Sequence, residues 1–113
     1  MFDHIGIRVK NLDAAARLYA AMLAPLGHVA GPSGDGYAGF GPKGRPSLWL
    51  HLSESSNNGC HVALGAESRE AVERFYAEGL KAGARDNGRP GVRTDYAPTY
   101  YACLLYTSPS PRD

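Results

Sequence analysis

Imidazole is the side chain here best suited to chemistry at neutral pH, and three of the four histidines stand in similar settings. His4 lies in Asp3-His4-Ile5-Gly6-Ile7, His51 in Leu48-Trp49-Leu50-His51-Leu52, and His61 in Cys60-His61-Val62-Ala63-Leu64. In an extended strand neighbouring side chains point to opposite faces, so each histidine stands opposite the aliphatic packing side. Imidazole nitrogens bind Zn²⁺, Ni²⁺, Fe²⁺ or Co²⁺, which makes a shared divalent metal one reading. The other is that each ring is a half-buried polar group bonded to a backbone carbonyl, the ordinary state of a single strand histidine. His28 follows Gly27 at the end of a helix and is read as a surface or strand-start residue.

The elements that must position these rings repeat. Fifty-seven residues after His4 comes His61, and in the same register Ala14 meets Ala71, Arg17 meets Arg74, Tyr19 meets Tyr76, Leu23 meets Leu80 and Gly31 meets Gly88. Each copy opens with a strand, Phe2 to Val9 in the first and Cys60 to Gly65 in the second, where aliphatic residues alternate with other types. A helix follows each. Asn11 and Ser68 are its N-caps, Asp13 and Glu70 sit near its positive end, and Gly27 and Gly83 mark where it stops. Apolar residues then recur at helical spacing, including Leu12, Ala15, Tyr19 and Leu23 in the first copy and Val72, Phe75, Tyr76 and Leu80 in the second. Glycines and prolines divide the rest of the first half into His28 to Ala30, Tyr37 to Phe40 and Ser47 to Leu52, three further strands. The order βαβββ is thus visible once in full and once in its opening, with Ser53 to Gly59 as the linker. Two such modules packed about a pseudo-twofold axis would put the faces turned from the helices into one trough, where His4 and His61 meet.

Composition bounds the function. The 113 residues are 43% apolar and 20% charged, an ordinary globular balance, and 12 Lys and Arg against 11 Asp and Glu leave a charge of +1. No sequence-wide field favours nucleic acid or an anionic membrane. Lys81, Arg85, Arg89 and Arg93 are a local excess, read as a solvated face or the rim of a pocket for an anion. Cys60 and Cys103 cannot build a disulfide framework and are expected to be buried thiols. With no leader and no long apolar run, a cytoplasmic protein is expected.

Asp3-His4-Ile5-Gly6-Ile7 ahead of a helix with Tyr19, and Cys60-His61-Val62-Ala63 after the linker, resemble the vicinal oxygen chelate superfamily of glyoxalases, bleomycin-resistance proteins and extradiol dioxygenases. The stretch Asn87 to Arg93, through Tyr100-Tyr101, is similar to a short glyoxalase-like subgroup. The resemblance runs from about Phe2 to Leu105 and implies an α+β fold of paired βαβββ modules, module one at 1–53 and module two at 59–105. It implies that His4 and His61 ligate a divalent metal (Zn, Ni, Fe, Co or Mn), with His51 at a position where some members place another ligand. Such a metal holds two neighbouring substrate oxygens and stabilises the charge developing on them. Arg93, Tyr96, Tyr100 and Tyr101 would line the pocket, although Tyr100 and Tyr101 also read as the plain start of a strand. A small-molecule substrate and a homodimer are the partners implied.

The family's last strand, which carries a glutamate ligand, is missing. After Leu105 comes Tyr-Thr-Ser-Pro-Ser-Pro-Arg-Asp, and Pro109 and Pro111 cannot donate to a ladder. Residues 106–113 are expected to be a disordered or artefactual tail, and Leu104 to Asp113 resembles a translated sequencing adapter. The leading expectation is a metal-dependent enzyme of lyase or isomerase type. A metal-free binding protein of the bleomycin-resistance kind, using Trp49, Tyr96 and Tyr100 against an aromatic or cationic drug, is the alternative. A structural or regulatory module, with coincidental histidines, is the third.

Overall fold

The computed structural model describes residues 1–55, 60–95, 97 and 99–107. Alternation produces the first strand, β1 (Ile5–Val9), whose Ile7 and Val9 are buried while Gly6 and Arg8 face outward. Helix α1 (Leu12–Leu23) begins where the Asn11 side chain accepts the Ala14 N–H at 3.1 Å. It buries Ala15, Leu18, Tyr19, Met22 and Leu23. Pro25 tightens the exit into a single 3₁₀ turn (Ala24–Leu26), and Gly27, at φ 87°, reverses the chain in the left-handed region that favours glycine.

Three strands follow, β2 (Val29–Gly34), β3 (Tyr37–Gly41) and β4 (Leu48–Leu52). They join β1 in one sheet of order β1-β4-β3-β2. The β1–β4 pair is parallel, with Ile7 opposite Leu50 and Arg8 opposite His51, and the other two pairs are antiparallel. Alternation sends Ala38, Phe40, Leu48 and Leu50 to the side covered by α1, and Leu50 there is fully buried.

The second half begins differently from the sequence reading. Cys60 to Gly65, expected as a strand, is irregular and exposed throughout. The reason lies in the first half: β1 is a strand because β4 pairs with it over its whole length, and among the described residues nothing answers to β4 in the second half. Cys60, expected to be buried, is exposed with that segment, and Cys103 is partly buried; both are free thiols. Helix α2 (Arg69–Lys81) forms as read, with the Ser68 hydroxyl accepting the Ala71 N–H at 3.1 Å. Gly83, at φ 117°, ends it.

Then β5 (Arg85–Val92) pairs antiparallel with β6 (Tyr101–Tyr106), a two-stranded sheet lying on α2. The helices pack on each other near Gly79, where an added Cβ would come within 2.5 Å of Leu105 Cδ1 and 3.6 Å of Met22 Cβ. The Tyr19 hydroxyl meets the Thr107 hydroxyl at 2.9 Å; of the segment expected to be a tail, residues 108–113 lie outside the described residues.

Candidate functional site

On the face of the four-stranded sheet turned from α1, alternation places Gly6 and Arg8 of β1, Trp49 and His51 of β4, and Tyr37 and Gly39 of β3. Three rings lie there, each over a glycine. A Cβ on Gly39 would stand 2.6 Å from the Trp49 ring, one on Gly34 2.7 Å from the Tyr37 ring, and one on Gly6 3.3 Å from Cδ2 and Nε2 of His51. At Gly39 and Gly34 only hydrogen leaves the rings where they lie, while at Gly6 a methyl group would press His51 by a few tenths of an ångström. Tyr37 and Trp49 are tilted at 52° with centroids 6.2 Å apart, within the range of an aromatic pair. Tyr37 and His51 are exposed and Trp49 half-buried, so the row faces solvent.

His4 immediately precedes β1 and, two residues before Gly6, shares its parity. Its Nδ1 lies 2.8 Å from Asp3 Oδ1, on the surface. A carboxylate on one ring nitrogen fixes the tautomer and leaves Nε2 as the available donor atom. His61 lies in the exposed irregular segment rather than on a strand. Among the described residues no three His, Cys, Asp or Glu side chains gather closely enough to share a cation. Of the set expected, His51 lies on the open face of the sheet, His4 just before β1 and His61 in the irregular segment, so among the described residues the three are not brought together.

The expected pocket-lining residues divide. Trp49 belongs to the ring row. Tyr101 turns to α2, donating to Glu73 Oε2 at 2.8 Å with the Arg69 guanidinium 4.8 Å above its ring, and the Glu73 bond, followed by burial, raises its pKa. The Arg93 guanidinium folds back on the Arg89 carbonyl. Tyr100 lies in the turn before β6, its carbonyl accepting the Arg93 N–H. Tyr96 falls outside the described residues. Tyr37 was not among the residues singled out, although its alternation with Ala38 and Phe40 carries the same signal that marked Trp49 and His51. Two open concavities, one lined by Val29 to Pro32 with Gly41 to Pro46 and one between the 3₁₀ turn and the start of α2, include none of these residues.

No family model matches the chain, and no curated protein does. Among solved structures it is similar to a glyoxalase/bleomycin resistance protein from Albidiferax ferrireducens T118, at TM-score 0.72 and 21% identity over 94% of this chain and 98% of that one. It is also similar to the hypothetical protein SA1046 from S. aureus, at TM-score 0.66 and 19% identity over 90% of this chain and 83% of that one. No described helix is long and apolar enough to cross a membrane. The chain has the α+β fold of the glyoxalase/bleomycin resistance protein, its first βαβββ module complete and its second consisting, among the described residues, of α2, β5 and β6.

Proposed function

We propose that this protein binds a small molecule on the ring-bearing face of the four-stranded sheet, with Trp49 and Tyr37 as the stacking surface and His51 as the polar contact. The observation that supports this most directly is the row of three rings, each laid over a glycine on a face that α1 does not cover. Flat rings lose little conformational freedom on binding and offer a broad contact surface, which suits a planar or oxygen-bearing ligand. A second copy of the chain is the wall we propose for the open side.

Trp49 is the single tryptophan, so its emission reports this face alone. A planar aromatic cation such as proflavine is expected to quench it saturably in chelator-treated protein. Gly39→Val, which drives a side chain into the Trp49 ring, is expected to weaken that binding roughly tenfold, the equivalent of about 1.4 kcal/mol. Quenching that neither Gly39→Val nor Tyr37→Ala alters would rule the face out.

A second reading, a metal-dependent enzyme of lyase or isomerase type, is favoured by the Asp3 carboxylate on His4 Nδ1 and by His4 and His51 sharing a parity. The donors in place fit a divalent cation only in part, His51 on the open face and His4 just before β1, so no reaction step is drawn through it. When bound, such an ion would supply Lewis-acid stabilisation of negative charge on substrate oxygen. Equilibrium dialysis against Ni²⁺ or Zn²⁺ is expected to show one site, lost in His4→Ala and in His51→Ala and weakened in His61→Ala. Uptake indifferent to His4 and His51 would sink this reading and leave the first untouched.

A further inference from the structure

The open face of the four-stranded sheet is divided along its width. The Tyr37 ring lies over Gly34 of β2 and the Trp49 ring over Gly39 of β3, so the aromatic surface spreads toward the β2 side. The His51 ring leans the other way, over Gly6 of β1, and Arg8 of β1 is its partner in register. Arg8 alternates with the buried Ile7 and Val9 and is exposed. The sequences of β1, β2, β3 and β4 contain no aspartate or glutamate, and Arg8 is their one lysine or arginine. The acidic residues next along the chain, Asp35 in the β2–β3 turn and Glu54 after β4, lie beyond the strand ends. One side of the face is therefore aromatic and the other positive, with no carboxylate from its own strands to answer the charge.

We propose that the ligand of this face is a planar aromatic acid, its ring system on Trp49 and Tyr37 and its carboxylate at Arg8 and His51. The inference rests on the ring-bearing face being the binding surface and adds the charge of what binds there. A guanidinium donates two parallel N–H bonds to a carboxylate, a match of geometry as well as charge. Arg8 also has an interaction within the protein, and five N–H donors serve more than one partner. The spacing agrees with such a ligand. Neighbouring strands stand about 4.8 Å apart, so β3 and β1, with β4 between them, are separated by roughly 10 Å, a width that a fused-ring acid spans.

The test follows Trp49 emission in the full chain during titration with anthracene carboxylate and with the matching anthracene carboxamide, which share a ring system and differ in charge. The carboxylate is expected to bind roughly tenfold tighter than the amide at low salt, with the difference shrinking as salt is added. Arg8→Met keeps much of the side chain's length and removes its charge. It should bring the carboxylate down to the affinity of the amide, leave the amide unchanged, and let the cation proflavine bind about twofold tighter. A fall in all three probes alike would assign Arg8 to the fold and overturn the proposal. Equal affinities of carboxylate and amide for the wild type, or a preference that survives Arg8→Met, would overturn it too while leaving the ring-bearing face in place. Quenching by none of the three would remove the face itself.

Discussion

Asp86 shows how one side chain fixes a backbone turn and lends the fold a pH dependence. Its Oδ1 accepts the Gly88 N–H at 2.8 Å, and Gly88, at φ 152°, is where β5 departs from regular pairing with β6. That backbone bond first, then a hydrogen bond from the Tyr76 hydroxyl, lowers the Asp86 pKa below its ordinary 3.8. A carboxylate whose folded pKa is depressed adds stability that is present above the unfolded value and lost as pH falls through the folded one. Asp86→Asn is therefore expected to be less stable than the wild type at neutral pH, with the gap closing as pH drops below about 3.8. Urea midpoints measured down a pH series check this; a gap constant with pH would show that the Asp86 carboxyl titrates alike in the folded and unfolded chain. On α2, Tyr76 responds in the opposite sense, its pKa raised by burial and then by the bond to Asp86.

At the scale of elements, what is specified locally was legible and what depends on a distant partner was not. Both helices follow from apolar spacing and from caps the chain makes within three residues of itself, Asn11 to Ala14 and Ser68 to Ala71. Replacing either cap by alanine is expected to cost about 1 kcal/mol, read as a lower denaturation midpoint with the slope unchanged. Strands β1, β3 and β4 show in their alternation to within a few residues of their ends. Strand β5 does not, because Gly88, Pro90 and Gly91 have the composition of a turn and only pairing with β6 makes them a strand. The segment Cys60 to Gly65 errs the other way: its alternation is as regular as that of β1, yet a strand exists only with something to pair to. The candidate site divides likewise. That Trp49 and His51 share a face is a matter of odd and even positions, while the glycines beneath the rings emerge only once the strands are set in register.

Across the whole molecule the repeat keeps one register in sequence and is lopsided in packing. The buried core is drawn almost entirely from the first half, with Ala71 and Ala84 as the second half's buried apolar residues. The second half leans on that core through Phe75 and Leu105, through the close approach at Gly79, and through the bond from Tyr19 to Thr107. Gly79→Leu, outside the ring-bearing face, would thus wedge the helices apart. The parallel pairing of β1 with β4 matters most at this scale. It encloses α1 and the β2–β3 hairpin between two strands that touch, so every ladder of that sheet is complete by Leu52. During synthesis on a ribosome all those hydrogen-bond partners exist before the first codon of α2 is read, and the later half can condense on a surface already made. The order in which the two halves acquire structure is thereby written into where one early strand finds its neighbour.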